Sequence, residues 1–358
     1  MGTNEIIRML YALEKGGNYD RIKLIVRKVH KMAVTTKDLA RICGVSRATI
    51  NRALNNLDGI NEKTKKRILD TAKELGYEPD LVARSLVKGK SMTIGVIVVD
   101  LRNEYFAEMI NEMEKTARAS GYILNITLHE QDKKSEKKLI QTLVGHRIDG
   151  LIISPVSSDK EFLRYLNQLS IPVVVIGNQL AEAIPCVGID EQLATEDAVE
   201  YIYKKGYQKA AFVVPPLNSQ YYVNINGHEQ RLMGFLKAVN RRNLEFSVIK
   251  GDDYCSEASE LLQDSDERIA FLCSGAKFAG DLIFYFNKIN KKAGTDYGIM
   301  SFDKIDIFKN WEPEITTVDN HISKIGASAV RLLIDLIEGK EANRDITIPY
   351  EIVQGDTL

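Results

Sequence analysis

Thr35-Thr36-Lys37-Asp38-Leu39-Ala40-Arg41-Ile42-Cys43-Gly44-Val45-Ser46-Arg47-Ala48-Thr49-Ile50-Asn51-Arg52-Ala53-Leu54-Asn55 holds two helix starts and one stop in a short stretch. Thr35 or Thr36 can cap a first helix running through Asp38, Leu39, Ala40 and Ile42. Gly44 ends it, because glycine adopts the positive φ of a helix C-terminus without strain. Ser46 caps a second helix over 47–55. Its inward face is Val45, Ile50 and Leu54; Arg47, Ala48, Asn51, Arg52 and Asn55 point outward. Asn61 caps a third helix from Glu62 to Leu75, closed by Gly76-Tyr77, with Ile68, Ala72 and Leu75 apolar at helical spacing. Two short helices joined by a tight turn form a helix-turn-helix. On its second helix, small residues alternate with Arg and Asn. A slim helix enters the major groove deeply, Arg reads guanine O6/N7 and Asn reads adenine. A solvated helix with ordinary surface arginines carries the same spacing, so spacing alone leaves both readings open.

Charge is distributed unevenly around that stretch. The whole chain carries a net −1, yet residues 1–91 hold 19 Lys/Arg against 10 Asp/Glu, so the remainder is strongly acidic. A basic head on an acidic body is the footprint of a chain that touches phosphate at one end only. The most apolar run, Thr93-Ile94-Gly95-Val96-Ile97-Val98-Val99, is of strand length and ends at Asp100. It is far short of the roughly 20 residues of a membrane span, and no contact with a membrane is expected. Met1-Gly2-Thr3-Asn4-Glu5 lacks the basic start and apolar core of a signal peptide. Cys43, Cys186, Cys255 and Cys273 are scattered with no CxxC pair. They read as reduced packing residues in a prokaryotic cytoplasm rather than as metal ligands.

From Met92 onward, strand-like runs alternate with helical patterns. Strands are expected at 93–99, 122–128, 149–154, 172–177, 209–214, 246–250, 269–273 and 297–302. Helices are expected at about 105–120, 135–146, 159–169, 192–206, 228–242, 256–264, 277–291 and 321–338. Near-continuous Val/Ile strands between helices predict doubly wound parallel sheets. Eight such units exceed one comfortable sheet, so two lobes are expected, with a ligand cleft at the carboxyl ends of their strands. The fold class is α/β: an all-α helix-turn-helix head and a two-lobed body. There is no GxSxG, P-loop or HExxH, and five histidines form no constellation that spacing supports. An enzyme is not expected, nor is a cofactor or a metal site.

The run Val34–Asn55, followed by Ile60-Asn61-Glu62-Lys63-Thr64-Lys65-Lys66-Arg67-Ile68 and Leu75-Gly76-Tyr77-Glu78-Pro79, resembles the DNA-binding head of the lactose-repressor (LacI/GalR) family. The match is nearly gap-free. By that resemblance Arg47 and Ala48 sit at variable base-reading positions and Arg52 matches a nearly constant base-contacting arginine. Ser46, Thr49, Asn55 and Thr64 match phosphate contacts, and Thr36 and Asn51 complete the expected DNA-binding set. Residues 80–91 resemble the family's hinge, with Leu86 at the position of a leucine wedged into the minor groove. Such a wedge unstacks a base step and bends the duplex.

The body is also similar to the family's effector domain, itself similar to periplasmic sugar-binding proteins. The resemblance rests on Ile94-Gly95-Val96-Ile97-Val98, Asn103-Glu104-Tyr105-Phe106, Gln230-Arg231-Leu232-Met233-Gly234-Phe235, Ser301-Phe302-Asp303 and Ile315-Thr316-Thr317-Val318. It implies crossings between lobes near 206, 319 and 348. The expected domains are therefore an extension at 1–31, a head at 32–79, a hinge at 80–91 and a body at 92–358. Lobe 1 takes 92–206 and 320–347; lobe 2 takes 207–319 and 348–358. Arg231 and Asp303 match sugar-hydroxyl ligands, Phe106 a pocket wall, and Asn103, Ser274 and Asn320 polar pocket positions. Charged donors and acceptors give strong, directional bonds to vicinal hydroxyls.

Three departures stand out. Ser274-Gly275 replaces the usual Asn-Asp, Gly206-Tyr207 replaces Gly-His, and Asp190-Glu191-Gln192-Leu193-Ala194 replaces Asp-Asn-x-x-Gly. Tyr221, Tyr222, Asn224, Asn226 and His228 are candidates to compensate. The resemblance implies a homodimeric repressor binding palindromic double-stranded operator DNA, controlled by a small-molecule effector, a carbohydrate. A protein corepressor in place of the sugar, or a cytoplasmic sugar-binding protein without DNA function, stays open. No C-terminal heptad extension follows the body, which favours a dimer over a tetramer. Met32-Ala33-Val34-Thr35 reads as the family's usual start. The preceding residues fit both a helical appendage and a start codon placed too far upstream.

Overall fold

The computed structural model describes residues 34–77, 89–102, 104–177, 179–180, 184–216, 226–264, 267–305, 308, 311–341 and 345–358. Leu86, Asn103, Tyr221, Tyr222, Asn224 and the extension at 1–31 lie outside them. The chain divides into two compact units meeting between Gly89 and Lys90, inside the expected hinge.

The head holds α1 Thr36–Ile42, α2 Arg47–Leu54 and α3 Glu62–Glu74. Each begins where a side chain satisfies an otherwise orphaned backbone N–H. Thr35 and Asp38 form a reciprocal capping box. Ser46 Oγ accepts from Thr49 N at 3.1 Å and Asn61 Oδ1 from Lys63 N at 2.9 Å. Gly44 has φ +62° at the turn. Leu39, Ile50 and Ile68 are fully buried, one from each helix, and Ala40, Cys43, Ala53 and Ala72 fill around them. Leu54 only flanks this core and Leu75 is exposed, so Ala53 replaces Leu54 as the second inward residue of α2. Arg67 ties α3 to the turn, donating to Cys43 O at 2.9 Å.

The first lobe of the body is a six-stranded sheet of β1 Thr93–Val98, β2 Ile123–Leu128, β3 Gly150–Ile153, β4 Val173–Ile176, β5 Cys186–Gly188 and β11 Asp345–Thr347. Its order is β11-β5-β4-β3-β1-β2, all parallel. The second lobe holds β6 Lys209–Val213, β7 Glu245–Ile249, β8 Ile269–Cys273, β9 Gly298–Phe302, β10 Thr316–Asp319 and β12 Glu351–Val353. Its order is β12-β10-β9-β8-β6-β7, parallel except for the antiparallel β10–β12 pair. Around them lie α4 Glu104–Ala119, α5 Lys133–Gly145, α6 Lys160–Asn167, α7 Glu191–Lys204, α8 Asn226–Arg242, α9 Tyr254–Gln263, α10 Ala276–Lys288 and α11 Ile322–Ile337. All eight expected strands and eight expected body helices are present. The additional strands β5, β10, β11 and β12 are three or four residues long. Among the described residues no helix is long and apolar enough to cross a membrane, and the four cysteines are free thiols.

The crossings between lobes need one correction. The chain leaves lobe 1 at Ile189-Asp190, between β5 and α7, rather than near 206. The apolar face of α7 (Ala194, Ala198, Val199, Ile202) packs with Phe212, Phe235, Leu272 and Met300 of lobe 2. The later crossings fall at Asn320-His321 and 348–350, close to the expected places. Close approach of α7 and α8 depends on Gly234, where an added Cβ would stand 2.3 Å from Gln192 O and 3.0 Å from Thr195 Cβ. Gly234→Val therefore lowers body stability by about 1–3 kcal/mol. The expected readout is a lower urea midpoint with an unchanged m-value; an unshifted midpoint would refute this tight contact.

Candidate nucleic-acid interface and ligand cleft

Helix α2 presents Arg47, Ala48, Asn51 and Arg52 to solvent in a row. The core side of the helix is held by Ile50 and Ala53, so this outward face follows from helical geometry. Among the described residues neither Arg47 nor Arg52 has a carboxylate partner, which leaves both guanidinium groups available to an outside acceptor. Thr49, Asn55, Thr36 and Thr64 are half-buried. The Thr49 hydroxyl lies 2.9 Å from Ser46 Oγ. Asn55 donates its amide to Asn51 O at 2.9 Å, so its side-chain oxygen is what it can offer outward. Ser46 is exposed at the N-terminus of α2, where backbone N–H groups suit a phosphate.

In the body, Ser274 follows β8, Asp303 follows β9 and Asn320 follows β10, all at strand carboxyl ends. Arg231 reaches them from α8 and is 6% exposed. Its Nη1 donates to Ser274 O, and its guanidinium lies 4.0 Å from the Phe302 ring centroid. Nη2 stands 3.8 Å from Asp303 Oδ1. Asn320 Nδ2 donates to the same Asp303 oxygen at 2.7 Å. Asp303 itself has φ +69°, a left-handed backbone that non-glycine residues rarely adopt. Phe106 is half-buried, its ring edge-on to that of Tyr105 at 5.1 Å. Four of the expected ligand residues (Arg231, Ser274, Asp303 and Asn320) thus form one connected cluster.

Its main component was absent from the sequence expectation. Glu191, the first residue of α7, accepts from Arg231 Nε at 2.6 Å and from Nη2 at 3.2 Å. After the Asp190 cap, a glutamate reads simply as complementing the helix dipole. The available signal was the departure itself: a carboxylate where the family pattern carries an amide. Burial raises the pKa of Glu191, opposed by the Arg231 charge. Asp303 is raised for the same reason, with Arg231 and the Asn320 bond opposing. Burial works against the Arg231 charge, yet Glu191 and Asp303 more than offset it, leaving its pKa raised. Tyr105 was also missed; burial and the neighbouring Asp303 and Glu191 charges keep its phenol protonated.

A cavity of about 440 Å³ opens beside this cluster. Gln179, Asp345 and Thr347 line it from lobe 1, with Glu191, Asn226 and Gln230 from lobe 2. Glu191 alone belongs to both cluster and cavity; Phe106, Arg231, Ser274, Asp303 and Asn320 do not line it. Of the proposed compensating residues, Asn226 lines the cavity and His228 is half-buried, close enough to Arg231 to feel its charge. Separately, Asp319, His321 and Glu351 bring potential ligand atoms within 4.8 Å of one another. There the Lys304 ammonium stands 3.7 Å from Asp319 and competes with any cation.

Residues 35–80 match the model of bacterial regulatory proteins of the lacI family. Residues 91–355 match that of periplasmic binding proteins and the sugar-binding domain of the LacI family. The HTH-type transcriptional regulator RegA of Clostridium saccharobutylicum is 28% identical, over 91% of this chain and 99% of its own length. Catabolite control protein A of Priestia megaterium is 29% identical, over 90% and 98% respectively. A crystal structure of the lac repressor dimer bound to operator and the anti-inducer ONPF shares the fold with a TM-score of 0.79. That likeness holds at 20% identity, over 91% of this chain and 99% of that one. The family models together span most of the chain, and with them the helix-turn-helix head and two-lobed body stand explained: the chain belongs to the LacI family of DNA-binding transcription regulators with a sugar-binding domain, and is a regulator rather than an enzyme.

Proposed function

We propose that this regulator is a cytoplasmic repressor that binds a palindromic operator as a homodimer, under control of a small molecule in the interlobe cavity. The observation that carries the reading is the outward row Arg47, Ala48, Asn51 and Arg52, on a helix whose opposite face is locked into the head's core. Arg52 and Arg47 read base edges; Ser46, Thr49, Asn55 and Thr64, with Thr36 beside them, hold phosphates. Leu86 enters the minor groove at the centre of the site. A two-fold dimer presents two such heads, which matches a palindrome; the lac repressor was crystallised as a dimer on its operator. The cavity takes groups from both lobes, so a ligand there favours one lobe arrangement over the other. It controls DNA only to the extent of its differential affinity for the two states.

Selection of binding sites from random DNA tests this reading. An enriched palindrome supports it, and no enriched site overturns it. On that palindrome Arg52→Ala weakens binding by about 1–3 kcal/mol, roughly 5- to 150-fold, and relaxes preference at one position per half-site. A phosphate-contact variant such as Thr64→Ala instead weakens all sequences evenly. Equal losses on cognate and scrambled DNA for Arg52→Ala would contradict its base-reading role.

A further inference from the structure

Charge does not balance inside the cleft. Glu191 and Asp303 bring two carboxylates to the single guanidinium of Arg231, with side-chain exposures of 14%, 11% and 8%. A buried charge without a counter-charge is costly. The adjacent imidazole does not supply the missing positive charge, because burial and the Arg231 charge push His228 down to about 3 and keep it neutral. The cavity on the other side of Glu191 adds Asp190 and Asp345, and no lysine or arginine among the described residues lines it.

The same cluster holds unsatisfied hydrogen-bonding atoms. Ser274 Oγ, Asn320 Oδ1 and His228 Nδ1 are buried without a partner. Ser274 and Asn320 are 0% exposed, and both residues bond to members of the cluster through other atoms. An amide oxygen can only accept, and a hydroxyl or neutral imidazole nitrogen accepts readily. Three of the five N–H groups of Arg231 are already engaged, Nε and one on Nη2 by Glu191 and one on Nη1 by Ser274 O. Among the described residues, Arg231 is the one cation of the cluster.

We infer that the interlobe site takes a small polyol bearing a protonated amine, such as an amino sugar, in preference to a neutral sugar. The inference rests on the cavity being the effector site. An ammonium in the cavity supplies one positive charge and three donors, which answers the excess carboxylate at Glu191, the one member of the cluster that lines the cavity. Glu191 reads the amine, because it alone faces both Arg231 and the cavity. Gln179, Asn226 and Gln230 face the same space and suit hydroxyls.

Calorimetric titration of the full-length protein with glucosamine, galactosamine and mannosamine, each beside its neutral parent and its N-acetyl form, tests the assignment. At least one amine binds about tenfold or more tightly than both neutral counterparts, and Glu191→Gln removes most of that preference. A neutral sugar that binds as tightly as its amine overturns the inference. So does a panel in which no amine binds, or a preference that survives Glu191→Gln. The wild-type comparison stands even where the variant folds poorly. Operator binding by the unliganded protein is measured alongside: its absence defeats the regulator reading, whereas neutral-sugar binding with intact operator binding defeats only the charge assignment.

Discussion

Arg231→Met lowers the unfolding free energy of the body by about 3–5 kcal/mol at neutral pH. Methionine can lie over the Phe302 ring as the guanidinium does, so the loss is electrostatic more than volumetric. What remains is Glu191, stripped of its two bonds, and Asp303, stripped of its nearest cation. Both carboxylates already have pKa values raised by burial with Arg231 present, and removing the guanidinium raises them further. The pH dependence follows from that direction. A carboxylate whose folded pKa exceeds its unfolded value contributes stability below the unfolded pKa and loses it as pH rises through the folded one. The deficit of the variant is therefore largest at neutral pH and shrinks on acidification, as both groups take up protons. Urea denaturation of wild type and variant at pH 7 and pH 5 measures it. A deficit of equal size at both pH values would show that packing, not charge, is what Arg231 supplies. Adding Glu191→Gln and Asp303→Asn to Arg231→Met recovers part of the loss, because a charge-free cluster carries no desolvation penalty.

The second large effect lies in the head. Ile50→Ala removes one of three fully buried side chains, one from each helix, at a cost of about 2–5 kcal/mol. The other buried positions are three alanines and a cysteine, which have little area to compensate. A unit of this size buries too small a share of its surface to absorb such a loss. The head unfolds, operator binding disappears, and the body keeps its unfolding midpoint and its ligand affinity. Limited proteolysis would show early cleavage confined to residues before Lys90. Retention of operator affinity within about threefold would mean that DNA contacts alone hold the head together, through coupled folding.

The two effects depend on different ranges of the chain. Helix starts at Thr35, Ser46 and Asn61 were readable from sequence because a cap reaches only two or three residues along the backbone. Strands such as β1, β4 and β8 were readable because their burial leaves nearly unbroken apolar runs, whereas the candidate positions Ser274, Asp303 and Asn320 came from the family resemblance and lie at strand ends. Tertiary structure alone decided which lobe receives α7, since its apolar face would suit either sheet and is claimed by α8 through the clearance at Gly234. It also decided the partner of Arg231, a glutamate 40 residues away. The cavity wall likewise joins Asp345 to Cys186 only through the β5–β11 pairing. Caps and periods are set by neighbours within a few residues; which carboxylate meets which guanidinium is set by how distant helices pack, and no local pattern encodes that.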